Sequence, residues 1–184
     1  MVDFFNVVKR RRSVRDFVKE GISKSDLKRI VNAGRLAPCG GNKQAWQFIV
    51  VVDKKIINKI LIYLELSKIT ADLKGAKGLY DTEGPIGFLN ASAVIAVAFD
   101  AKWIFYREDG SAAVENMLLA IAALGYGSCW VHGQTMPYLK DIEKLLNIPR
   151  DFRLFTAIVL GKPKRRPRRL PKRKLEEILH WNKF

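Results

Sequence analysis

Cysteine is nearly absent from this chain: Cys39 and Cys129 are the only two. Neither sits in a CxxC pair or has a histidine at zinc-ligand spacing, so the sequence excludes a disulfide scaffold and fits a reducing cytoplasm. Long apolar runs are also missing. The longest wholly apolar stretches, near Ala93–Phe99 and Met117–Leu124, are far too short to span a bilayer. At the start, charges follow the apolar residues instead of preceding them, which is not a secretory pattern. No nucleophile–His–Asp set, metal-ligand cluster, P-loop or internal repeat is present. Acidic residues are scarce as well, 18 against 33 basic ones, for a formal charge of +15 at pH 7.

Hydrophobic residues, by contrast, make up 48% of the 184. That is enough for one domain, residues 1–184, with a real core, and too much for a disordered chain. The sequence therefore reads as a soluble cytoplasmic protein. Its positive charge is gathered in two places. Five of the 33 basic residues lie between Lys9 and Arg15, and nine between Lys162 and Lys174. Such clustering favours an anionic partner without saying which one. In Arg10-Arg11-Arg12-Ser13-Val14-Arg15, four guanidinium groups and a hydroxyl form a dense donor set. Arginine's planar fork suits bidentate contact with phosphate. A phosphorylated small molecule, a nucleic acid and a merely solvated face all remain open on these residues alone.

Residues Asp3–Lys9 read as a short helix that delivers this cluster. Ser23 and Asp26 resemble a helix-start box, and Leu27, Ile30, Val31 and Leu36 recur at helical spacing until Pro38. The loop Cys39-Gly40-Gly41-Asn42-Lys43-Gln44 follows, its glycines permitting close approach of a ligand. Gln47–Val52 reads as a strand buried on both faces, and Ile56–Leu66 as an amphipathic helix. Between Ser67 and Asn90 periodicity fades and glycines accumulate, which suggests a functional excursion. Ala93–Phe99 is a strand and Asp109–Leu124 the strongest helix, closed by Gly125. Ser128–Val131 is a strand, Pro137–Leu146 a helix and Leu154–Leu160 a last strand. The alternation gives an α+β or α/β sandwich with four or more strands.

Four segments, RRSVRDF (11–17), LAPCGGNKQAWQFIVV (36–51), ENMLLAIAALGYGSCWVHG (115–133) and VLGKP (159–163), together resemble the FMN-dependent nitroreductase family in order and spacing. The resemblance runs from about residue 5 to the end, the middle excursion excepted. It implies an α+β three-layer sandwich whose mixed, mainly antiparallel sheet is flanked by helices. It implies a homodimer with a swapped C-terminal arm, FMN at the subunit interface, and ping-pong electron transfer from NADH or NADPH to a small-molecule acceptor. Residues 67–90 would then cap the substrate site and 162–184 would form the basic arm.

The resemblance also implies site residues. Arg11, Ser13 and Arg15 match phosphate-binding positions, and Arg12 is left for the ribityl chain or the ring. Pro38, Cys39, Gly40 and Asn42 match the loop beside the flavin, with Gln44 orienting that loop or approaching the ring. Cys39 stands where serine is frequent, and Ala45 where proline is usual. Val131, His132 and Gly133 match the segment whose backbone N–H groups serve the ring. A lone histidine without an evident carboxylate partner reads first as structural, with proton donation by His132 the alternative. Arg169 or Arg173 is the tail match for the phosphate, the register of this long basic run being ambiguous. Other reactions of the same fold stay open: a reduced-FMN destructase, a dehalogenase or a ring dehydrogenase. A nucleic-acid-binding module, permitted by the charge, lacks any RNA or DNA motif and is set aside as principal function.

Overall fold

A computed structural model describes residues 3–73, 87–132 and 136–184. In chain order the elements are α1 (Phe4–Arg10), α2 (Lys24–Arg35), β1 (Trp46–Val51), α3 (Lys54–Leu73), β2 (Ala93–Asp100), α4 (Tyr106–Ala123), β3 (Gly127–Trp130), α5 (Leu139–Leu145) and β4 (Phe152–Gly161). Short 3-10 turns lie at Gly40–Asn42, Met136–Tyr138 and Leu175–Glu177. The strands hydrogen-bond in the order β1-β2-β4-β3, and each neighbouring pair is antiparallel. A single parallel bridge, Ser13 to Ser128, extends the sheet beyond β3. The α+β reading holds.

Period-2 alternation along β2 makes the layers. Val94 and Ala96 point into one core with Ile57, Ile60 and Leu64 of α3 and Ile142 of α5. Ile95, Val97 and Phe99 point into the other, with Leu27 and Ile30 of α2 and Val114, Met117 and Ile121 of α4. Helices thus cover both faces of the sheet. Each fully buried Ile, Leu or Met contributes about 1.5–3 kcal/mol. Alternation slips once, between Val97 and Ala98, where Phe155 of β4 is the unpaired extra residue of a β-bulge. The slip sends Phe155 into the α4 side of the core.

Local signals act as their chemistry requires. Ser23 caps α2, its Oγ accepting the Asp26 N–H at 3.0 Å. Asp26 in turn accepts the Tyr126 hydroxyl at 3.0 Å, and this bond chiefly holds its carboxyl below the usual range. Two readings change. β1 is not buried on both faces, because it is an edge strand: Gln47 and Val50 are exposed. The helix expected to end at Leu66 runs to Leu73, so it takes up the first part of the excursion. Of the rest of the expected cap, residues 74–86 lie outside the described residues.

Residues 13–18 are stitched on both sides. Val14 N–H donates to Ser128 O at 2.8 Å, Val18 N–H to Lys162 O at 2.9 Å, and Lys164 N–H to Asp16 O at 3.0 Å. The chain returning from the excursion adds Phe88 N–H to Arg15 O at 2.8 Å. Close approach to the sheet needs glycine twice. A Cβ on Gly127 would lie 2.9 Å from carbons of Val14, and one on Gly161 2.9 Å from the Phe17 ring. Gly127→Ala should therefore cost about 1–3 kcal/mol by overpacking, read as a lower denaturation midpoint. Unchanged stability would show that the 13–18 segment is free to shift.

Candidate functional site

The two basic runs, one ending at Arg15 and the other beginning at Lys162, meet along this seam. Ser13, Arg15 and Asp16 line one side of a cleft of about 390 Å³; Arg165, Arg166 and Arg168 line the other. An adjoining recess is lined by Arg10, Arg11, Arg12 and Arg166. Acidic compensation is partial. Arg11 pairs with Glu115 of α4 at 3.6 Å and Arg165 with Asp16 at 3.8 Å. Arg12, Arg15, Arg166 and Arg168 form no ion pair among the described residues. The Nε atoms of Arg12 and Arg15 are buried and without a hydrogen-bond partner among the described residues. A buried guanidinium donor with nothing to bond is costly, and an anion's oxygens would relieve it.

Arg12 also has a structural task. Its Nη1 donates to Lys9 O at 2.7 Å and Arg11 O at 2.5 Å, closing the C-terminus of α1 where a cation is favoured. Beneath the cradle lies the buried Cys129. Burial pushes its thiol pKa up; Arg15, a Ser13 hydrogen bond and Arg11 pull the other way. Neither expected tail residue lines the cleft: Arg173 pairs with Glu177 at 3.5 Å and donates to its carbonyl, and Arg169 is exposed. Antiparallel pairing at Phe17–Pro163 fixes the register here, so Arg165, Arg166 and Arg168 come alongside instead.

The glycine loop is built separately. Gly40 N–H donates to Asp109 Oδ1 at 3.0 Å, and Trp103 Nε1 donates to Asp109 Oδ2 at 2.8 Å. Asp109, only 5% exposed, thus fastens the loop to the first turns of α4. Sequence reasoning missed this carboxylate, though an acidic pair, Glu108 and Asp109, opening a largely apolar helix was a signal. Cys39 Sγ accepts the Gln44 N–H at 3.3 Å, so the thiol shapes the loop. Asn42 and Gln44 hold positive φ, 54° and 52°. Pro38, Asn42 and Gln44 are exposed.

The third group follows β3. Val131 is buried and its N–H is committed to Ala157 O at 3.0 Å, so it is not a spare ring-side donor. His132 Nδ1 lies 3.0 Å from Phe155 O; a carbonyl only accepts, so Nδ1 carries the proton. Gly133 lies outside the described residues. Cradle and loop are not together in one chain. The loop leads into β1 at one edge of the sheet, and Ser13 lies outside β3 at the other. Four strand spacings of about 4.8 Å separate them, roughly 19 Å. Among the described residues no group of three His, Cys, Asp or Glu side chains could hold a metal ion, and no helix is long and apolar enough to cross a membrane.

Comparison with known proteins places this architecture. The model of the nitroreductase family matches residues 8–162. An Archaeoglobus fulgidus protein, provisionally named an NADH dehydrogenase/NAD(P)H nitroreductase, is 33% identical over 89% of this chain and 87% of its own. Iodotyrosine deiodinase of Thermotoga neapolitana is 30% identical over 98% of both. A solved iodotyrosine deiodinase with bound FMN and 3-iodo-L-tyrosine superimposes with a TM-score of 0.81 at 26% identity, covering 99% of this chain and 100% of the other. Matched by the family's model over most of its length, and by relatives along nearly all of it, the chain belongs to the nitroreductase family.

Proposed function

We propose that the protein is an FMN-dependent oxidoreductase that uses NADH or NADPH to reduce an electron-poor acceptor, such as a nitroaromatic or a quinone, by a ping-pong mechanism. The observation that carries this reading is the pair of orphaned buried Nε atoms, that of Arg15 in the cleft between the two basic runs and that of Arg12 in the adjoining recess. A phosphate dianion fits that donor set. FMN, when bound, supplies the hydride and electron transfer. The chain's own residues hold and orient it. Arg11, Arg12, Ser13 and Arg15 grip the phosphate, joined by Arg166 and Arg168. Phe88 N–H fixes the Arg15 carbonyl and so the direction of its side chain. The segment at His132 lies at the ring side in this reading, and the Asp109-fastened loop, Pro38 to Gln44, lies beside the ring.

Because cradle and loop occupy opposite edges of one chain, the site is completed by a second copy, whose loop lies beside this chain's cradle. The arm fits the same reading. Leu170, Leu175, Ile178, Trp181 and Phe184 are all exposed on one chain. An apolar groove between α2 and β1, lined by Leu27, Val31, Val50 and Val52, offers the partner's arm a seat. A second reaction, reductive dehalogenation of an aromatic substrate, is favoured by the identity with the Thermotoga deiodinase over 98% of both chains.

The purified protein should be yellow, be bleached by NADH or NADPH, and recover with a nitroaromatic acceptor, giving parallel double-reciprocal lines. Iodide release from 3-iodotyrosine by the reduced protein, without turnover of nitroaromatics, would favour the second reaction. Arg15→Gln should weaken FMN binding about tenfold or more, since hydrogen bonds to charged groups are worth about 1.5–3 kcal/mol. A colourless protein that cannot be reconstituted with FMN would overturn the proposal. Sedimentation should give a dimer, and a monomer that retains FMN would contradict the shared site.

A further inference from the structure

A second basic cleft lies at the other end of the sheet. It measures about 460 Å³, within the range of small-molecule sites. The first turn of α4 supplies Tyr106 and Arg107, α5 supplies Lys140 and Glu143, and Arg150, Arg153 and the bulged Phe155 complete it with His132. None of its cations belongs to the phosphate cradle.

Charge in this cleft is unbalanced. Its one carboxylate, Glu143, is already engaged: Oε1 accepts the Leu154 N–H at 2.9 Å, and Oε2 pairs with Lys140 Nζ at 3.1 Å. Arg107, Arg150 and Arg153 form no ion pair among the described residues. Two of them are held in place by one ring. The guanidinium carbons of Arg107 and Arg153 lie 5.4 and 5.6 Å from the centroid of Tyr106. Arg153 Nη2 is also fixed on Ala101 O at 2.5 Å. Cation–π contact orients each group, but two like charges over one ring repel each other, and an anion between them removes that repulsion.

Between the basic groups the walls are largely apolar: Tyr106, Phe152 and Phe155 are joined by Ala101, Leu139 and Leu154. Phe155 stands 6.0 Å from Tyr106 and 5.0 Å from His132, centroid to centroid. The β-bulge is what turns Phe155 to this side. With Phe155 buried behind them, the half-buried rings of Tyr106 and His132 stand beside oriented guanidinium groups, which suits a planar aromatic body carrying a carboxylate. It suits a hydrated inorganic anion less, since the rings would offer that ion nothing.

We propose that this cleft seats the carboxylate of an aromatic acid, and that the electron acceptor of the enzyme is an aromatic carboxylate and not a neutral compound. The link to the acceptor rests on the flavin reading, through His132, which is both a wall of this cleft and a residue matched to the ring side. Binding itself does not depend on turnover.

Titration calorimetry on the purified protein at low salt tests it, with 4-nitrobenzoate against the near-isosteric 4-nitrobenzyl alcohol. The carboxylate should bind about tenfold more tightly or better. In Arg107→Gln/Arg150→Gln that preference should fall to about threefold or less, with the affinity for the alcohol unchanged. Arg150→Gln alone, at an exposed side chain, should give a partial loss if the double variant does not fold. Equal affinities in the native protein would overturn the proposal. A preference that survives both substitutions would overturn it too, by placing the anion elsewhere. Inorganic phosphate competing as well as unsubstituted benzoate would show a general anion site and sink the aromatic assignment. The result is separable from the flavin reading, because bound flavin is read from the visible spectrum and ligand binding from heat.

Discussion

Four backbone hydrogen bonds around residues 13–18 govern everything else at the cradle. They tie Val14 to β3, Asp16 and Val18 to the chain leaving β4, and Arg15 to the returning segment at Phe88. The seam is favourable as backbone pairing and unfavourable as electrostatics, because it lays one arginine run against another. Glu115 and Asp16 offset only part of that repulsion. A bound anion therefore stabilises the seam while being held by it, and occupancy and folding stability become linked. Like charges forced together by an apolar and hydrogen-bonded frame are the physical form of an anion site.

α4 is the other organising element. Its apolar face, Val114 to Ile121, is buried against the sheet. Its remaining polar positions are spread along its length to different duties. Tyr106 and Arg107 open the second cleft, Asp109 fastens the glycine loop, and Glu115 meets Arg11 of the cradle. Asp109 and Glu115 are six residues apart, about 9 Å along the axis, so one rigid helix fixes the spacing of loop and cradle contacts. The β-bulge at Phe155 serves this arrangement from beneath, bringing a ring to the end of the sheet where His132 and Tyr106 converge.

Much of this was legible because it is local. The apolar run Ala93–Phe99, the Ser23 cap and the stop at Gly125 are written in neighbouring residues, and the observed elements follow them closely. β1 misled because a continuous apolar run does not say whether a strand is central or at an edge; that depends on which strand pairs with which. The tail register was ambiguous for a related reason. Nine basic residues between Lys162 and Lys174 look alike, and only the pairing of Phe17 with Pro163 shows that Arg165, Arg166 and Arg168 are the ones that line the cleft. The cleft around Tyr106 was invisible, since Arg107, Lys140, Arg150 and Arg153 come from four places and converge only in the fold. The family motifs, in contrast, were readable as a set, and the family's model matches residues 8–162, which span all four but for Pro163.

The central claim is that the seam presents a donor set made for a phosphate dianion. Phosphorus NMR of the protein saturated with FMN tests it most directly, because a phosphate monoester in water gains a proton near pH 6 while arginine stays charged. Held by Arg11, Arg12 and Arg15, the phosphate should keep one dianion resonance from about pH 8 down to about pH 5, its second pKa pulled below that range by the guanidinium groups. A resonance that titrates near pH 6, as free FMN does, would mean that the phosphate is in water and that the two arginine runs meet for another reason.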